Sequence, residues 1–125
     1  MNESNLESLE VFKERLNDIE KKINAYVNKL IDENKGKSEE IKTKAYLNYK
    51  DYVVEQSKSI MEEYGNTDTK LEEANQIIQN SQDSEEVLKA KKDLTYYTEK
   101  KEILERSETN LIPLETRVVM ELTFG

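Results

Sequence analysis

Cysteine, histidine and tryptophan are missing from this 125-residue chain, and it holds only three glycines and one proline. Without cysteine there is no disulfide framework and no thiolate metal site, so nothing points to an oxidising compartment. Without histidine the commonest general base and the commonest metal ligand are both gone. Three scattered glycines cannot build a loop that cradles phosphate. No apolar run is long enough to span a bilayer, and Met1–Asn5 lacks the basic and apolar segments of a secretory signal. Cytoplasmic residence is the expectation, which leaves the Asn2-Glu3-Ser4 glycosylation match without meaning.

Carboxylates are plentiful. Glu39–Glu40, Glu62–Glu63, Glu72–Glu73 and Glu85–Glu86 are adjacent pairs. General acid–base chemistry needs carboxylates in a desolvated cleft where their pKa values diverge, whereas these pairs fall on polar helix faces. No enzyme is expected, with no cofactor, metal or small-molecule substrate. The net charge of −8 argues against binding nucleic acid or an anionic membrane, both themselves negative.

Apolar residues make up 35% of the chain and charged residues 37%. A thin helical bundle accounts for this, because a heptad seam needs only about two apolar residues in seven. Leu9, Phe12, Leu16, Ile19, Ile23, Tyr26 and Leu30 recur at alternating steps of three and four, which sets them on one helix stripe. Such order, together with seven tyrosines, opposes intrinsic disorder. With Leu6, Val27 and Ile31 beside the seam, packing against at least two neighbours is expected.

The first helix is expected to start at an Asn2 or Ser4 cap, with Glu3 and Glu7 favourable at its positive end, and to stop at Gly36. Ser38 caps the second, whose broad face is Ile41, Ala45, Tyr46, Tyr49, Tyr52, Val53, Ile60, Met61 and Tyr64. Gly65 is its expected end, and the first two helices form an antiparallel hairpin. Thr69 and Glu72 are spaced as a capping box for a third helix with Leu71, Ala74, Ile77 and Ile78 inward. Asn80–Ser84 contains no apolar residue, Asp83 and Glu86 can cap again, and the stripe resumes at Val87, Ala90, Leu94, Tyr97 and Leu104, with Lys101 in one slot. This phase slip marks a kink or a turn.

From Leu111 the pattern changes. Pro113 opposes helix, and Val118, Met120, Leu122 and Phe124 alternate as on one face of a β-strand. The fold expected is therefore mainly α. It is an elongated antiparallel bundle of three long helical rods over residues 1–110, the third interrupted near 81–84, followed by a C-terminal strand arm over 111–125. A lone strand offers its edge to a partner, so Val118, Met120, Leu122 and Phe124 are the expected partner-binding residues.

Lys35-Gly36-Lys37-Ser38 ends like a phosphate-binding loop, but the other required glycine position is Ile31 and no strand precedes it. It reads as a helix–helix turn. Asn66, Asp68, Glu72 and Glu73 gather oxygens as calcium loops do, yet Lys70 sits at a ligand position and no glycine follows, which favours capping. Tyr46, Tyr49 and Tyr52, with Tyr96 and Tyr97, lie among Lys42, Lys44 and Lys50. This suits base stacking, and in an acidic chain it suits helix interfaces better.

A helical hairpin in a small acidic chain resembles the type VII secretion substrates. Tyr64-Gly65-Asn66-Thr67-Asp68 matches their Tyr-x-x-x-Asp export signal, but the turn Asn34–Ser38 lacks their Trp-x-Gly. In architecture, a helical bundle with a strand arm also looks like the adaptor components of phage heads and tails. That resemblance implies association with a virion. The function expected is a non-catalytic assembly adaptor acting through helical faces and its C-terminal arm, bound to other proteins or to copies of itself. The alternative is an acidic inhibitor or anti-defence protein that occupies a basic groove.

Overall fold

The computed structural model describes residues 7–124, which form three helices: α1, Leu9–Asn34; α2, Glu39–Asn80; and α3, Ser84–Phe124. The proposed caps Asn2 and Ser4, with Glu3 and Leu6, lie outside the described residues. Ser8 caps α1, its hydroxyl accepting the Val11 N–H at 3.2 Å. Ser38 caps α2 in the same way at 3.4 Å, through Ile41 N–H. Before α3 the Asp83 carboxylate accepts from Glu85 N–H at 3.0 Å. Gly36 turns the chain between α1 and α2 at φ +79°, where a Cβ would be strained.

All three helices pack on one another. α2 runs antiparallel to its neighbours: Tyr26 stacks on Tyr52 with centroids 4.0 Å apart, and Lys101 meets Asp68 at 2.8 Å. α1 and α3 are parallel, since Ser107 donates to Glu20 and Arg117 to Asn28. One core cluster, at the Gly36 end, joins Ile23, Val27, Leu30 and Ile31 to Ala45, Tyr49, Val118 and Leu122. The other joins Phe12 and Leu16 to Ile60, Ile103 and Leu104. Of the first-helix seam, Phe12, Leu16, Ile23 and Leu30 are buried, while Leu9, Ile19 and Tyr26 pack half-buried against them.

The chain departs from the sequence-based expectation in two places. Helix two does not end at Gly65. It continues to Asn80, so no third helix starts at Thr69, and the break falls at residues 81–83. Ile60, Thr67 and Ala74 are buried seven residues apart, so one core stripe crosses the glycine. Its packing outweighs the roughly 1 kcal/mol that glycine costs inside a helix. The C-terminal segment is not a strand either, and no strand occurs among the described residues. α3 passes through Pro113, which lies on the exposed side, and continues to Phe124 because Leu111, Leu114, Val118 and Leu122 extend its inner stripe. A proline costs about 3 kcal/mol in a helix interior. Side chains anchored in the core over the next two turns offset that cost.

α1 is 26 residues long against 42 and 41 for the others. It begins level with Tyr96, whose hydroxyl donates to the Glu7 carbonyl. Among the described residues, the end of α2 and the start of α3 therefore run on as a two-helix tip. Its buried positions, Ala74 and Ala90, are small, which suits close approach of two backbones.

Candidate interaction surface

The densest polar constellation lies where α1 begins. Arg15 donates to both carboxylate oxygens of Glu7, at 2.7 and 2.8 Å, and to Glu63 at 2.9 Å. Glu63 also takes the ammonium of Lys100 at 3.4 Å. Lys100 is 6% exposed, and its Nζ stands 4.7 Å from the centre of the Phe12 ring, with Tyr96 and Tyr97 a further ångström away. The hydrogen bond from Arg15 holds the Glu7 carboxyl below the ordinary carboxylate range, and Glu7 and Glu63 push the guanidinium upward. Each carboxylate here faces a cation, so the arrangement fastens three helices through charge.

Other sequence motifs resolve into local structure. The Gly-Lys-Ser segment is the turn between α1 and α2. Asp68 pairs with Lys101, and Glu73 with Lys70 at 3.7 Å, so both serve as helix-face ion pairs. Among the described residues no three His, Cys, Asp or Glu side chains group as a metal site requires. Tyr64 and Asp68 sit in the middle of α2, with Tyr64 packed on the core, rather than in a segment following the hairpin. Tyr49 and Tyr97 are buried, and burial pushes the Tyr49 hydroxyl up to about 12. No helix in the described residues is long and apolar enough to cross a membrane.

The four residues assigned to a strand face are divided by the helix. Residues 118 and 122, four apart, share one face, and 120 and 124 turn away from it. Val118 is 0% and Leu122 4% exposed, both in the core, whereas Met120 is 52% and Phe124 78% exposed. The arm is thus half core and half surface. Ile112, Val119 and Met120 line one shallow hollow on the outer side of α3, and Phe124 stands exposed one turn beyond Met120. Beside it a shallow groove runs to the start of α2, past Lys42, Thr43 and Tyr46, whose hydroxyl donates to Glu115 at 3.2 Å.

Sequence reasoning put Lys101 in an inner slot of the last stripe, whereas the structure buries Lys100 there and leaves Lys101 half-buried in its ion pair with Asp68. It passed over Leu47 and Val54, which with Met61 are exposed on α2. Their spacing of seven was the available signal. Compared with family models, curated proteins and solved structures, the chain matches none of them.

Proposed function

We propose that this protein is a non-catalytic assembly adaptor: a stiff three-helix rod that binds another protein through the outer face of its α3 end. The observation that carries this reading is the group of Ile112, Val119, Met120 and Phe124. It sets four large apolar side chains in solvent on a segment whose opposite side is locked in the core. Single exposed apolar residues are ordinary on a protein surface, but several on the outer side of one rigid element are what an interface uses. A preformed helix face also loses little conformational freedom when a partner docks.

The test is a Met120→Glu, Phe124→Glu variant in a pull-down with extract from source cells. Both side chains face solvent, so the circular dichroism should match the wild type. A partner retained by the wild type at about 0.5 M salt, where exposed charges are screened, should be lost from the variant. Equal retention by the variant refutes the reading.

A second reading is the acidic inhibitor. It is favoured by the exposed Glu72, Glu73, Asp83, Glu85 and Glu86 gathered near the α2–α3 turn. Binding of that kind would fall steeply as salt rises and would ignore substitutions at 120 and 124.

A further inference from the structure

Midway along α2 the helix crosses a stretch that its packing does not call for. Gly65 sits inside the helix without a positive φ, and a Cβ placed on it would meet nothing within 4 Å. Neither an unusual backbone conformation nor a close approach therefore asks for a glycine. Relative to alanine it makes the helix about fivefold easier to open. The four residues that follow, Asn66, Thr67, Asp68 and Thr69, all carry side chains that compete for backbone hydrogen bonds and favour turns and caps. Thr67 is 0% exposed, and its hydroxyl has no hydrogen-bond partner among the described residues. By contrast Thr69, Thr95, Thr109 and Thr116 each donate to the carbonyl four residues back, at 3.0–3.2 Å. The dry, unpaired hydroxyl of Thr67 destabilises the closed helix and gains water once the turn opens.

We propose that residues 65–69 are a hinge, at which α2 passes between one continuous helix and two helices separated by an unwound turn. Thr69 has a bond to make in either form. In the continuous helix its hydroxyl donates to the Gly65 carbonyl at 3.1 Å. In the open form that bond breaks and the same oxygen accepts the Glu72 N–H. The carboxylate of Glu72, exposed in the continuous helix, then reaches back to the Thr69 N–H and completes a reciprocal cap for the helix running on to Asn80. The loss at one end of the turn is thus offset by a gain at the other, as a two-state element requires.

α3 contains no glycine and passes the hinge unbroken, with Lys101 holding Asp68 at 2.8 Å. Opening therefore leaves the tip joined to the body through α3 alone, free to tilt on that single strut. The hinge needs no occupant on any surface, and its test is independent of what docks at the end of α3.

Amide hydrogen exchange of the full chain, resolved by NMR where the rate follows the opening equilibrium, reads the hinge directly. In the wild type, protection at residues 67–71 should fall about tenfold below that at 60–63 and recover at Ala74 and Asn75. Fraying from the 81–83 turn alone gives a steady decline toward Asn80 with no dip. Gly65→Ala should slow exchange at 67–71 about fivefold, and Thr67→Val about tenfold, with residues 60–63 unchanged. Thr69→Val keeps the branched side chain and removes only the cap of the open form, so it should slow exchange about fivefold. Thr69→Ser keeps the cap and should exchange as the wild type does. A steady decline, or a dip that neither Gly65→Ala nor Thr67→Val reduces, overturns the proposal. Exchange in Thr69→Val as fast as in the wild type, or faster, overturns it equally, because the hydroxyl would then serve only the continuous helix.

Discussion

Glu63 and Lys100 form an ion pair whose two halves should differ sharply in what their removal costs. Lys100 has a side chain 8% exposed, and its carboxylate partner among the described residues is Glu63, 23% exposed. Glu63 has a second cation, Arg15, at 2.9 Å, and Arg15 in turn keeps both oxygens of Glu7. Glu63→Gln therefore strands a buried ammonium against aromatic faces and a neutral amide. Breaking a fully buried pair from one side costs about 3–5 kcal/mol. The partial exposure of Glu63 and the reach of the lysine stem lower this to about 2 kcal/mol. Lys100→Met leaves Glu63 satisfied by Arg15 and puts a thioether on the Phe12 ring, so its cost should stay within about 1 kcal/mol. In the double variant most of the Glu63→Gln loss should vanish, since no buried charge remains to be stranded. Urea unfolding followed by circular dichroism at constant slope measures all three. If Lys100→Met costs as much as Glu63→Gln, or if the two losses simply add, the ammonium is not held as described and the reasoning is wrong.

Pro113→Ala should stabilise the chain by roughly 1–3 kcal/mol, because it restores a helical hydrogen bond at an exposed position without touching the core; an unchanged melting temperature would mean that α3 is broken there. Tyr49 has its pKa raised from 10 to about 12 by burial, with Glu115 and Tyr46 adding to the effect. Its neutral form is thus favoured in the fold, and the stability it contributes is present below pH 10 and lost as pH rises toward 12. Tyr49→Phe should flatten the decline in urea midpoint across that window, and a parallel decline would assign it to other groups. Deleting residues 111–125 removes Val118 and Leu122 from a core cluster, each worth about 2–3 kcal/mol of burial, so helicity should fall throughout the molecule. A truncated chain with native helicity per residue would show that the segment is an appendage.

The seam of the first helix was legible because one residue in every three or four is apolar and no polar residue interrupts it. The end of the chain misled for a definable reason. A step of four residues fits both an α-helical stripe and the alternation of a strand, so Val118 and Leu122 satisfy either pattern. Met120 and Phe124 fit only the strand, but they were exposed all along. The helical stripe that resolves the ambiguity descends from Tyr97 through Lys100, Leu104, Ser107, Leu111 and Leu114. Its register is hidden by a lysine and a serine at core positions. Thr67 hides the continuity of α2 across Gly65 in the same way. Polar residues inside a helical core cost the sequence reader the phase, while the folded chain recovers it through ion pairing with Glu63 and a hydrogen bond from Ser107 to Glu20.

The unequal helix lengths give the rod a hard end and a soft one. Near Gly36 every turn of each helix has two neighbours, so amide protons such as those of Val27 and Tyr49 open only with the whole fold. Beyond Leu9 the described part of each remaining helix has a single neighbour and small buried residues, so Ile77 and Val87 should exchange with solvent well before global unfolding. A force or a protease acting on the molecule would therefore begin at the 81–83 turn and be stopped at the Arg15–Glu63–Lys100 fastening.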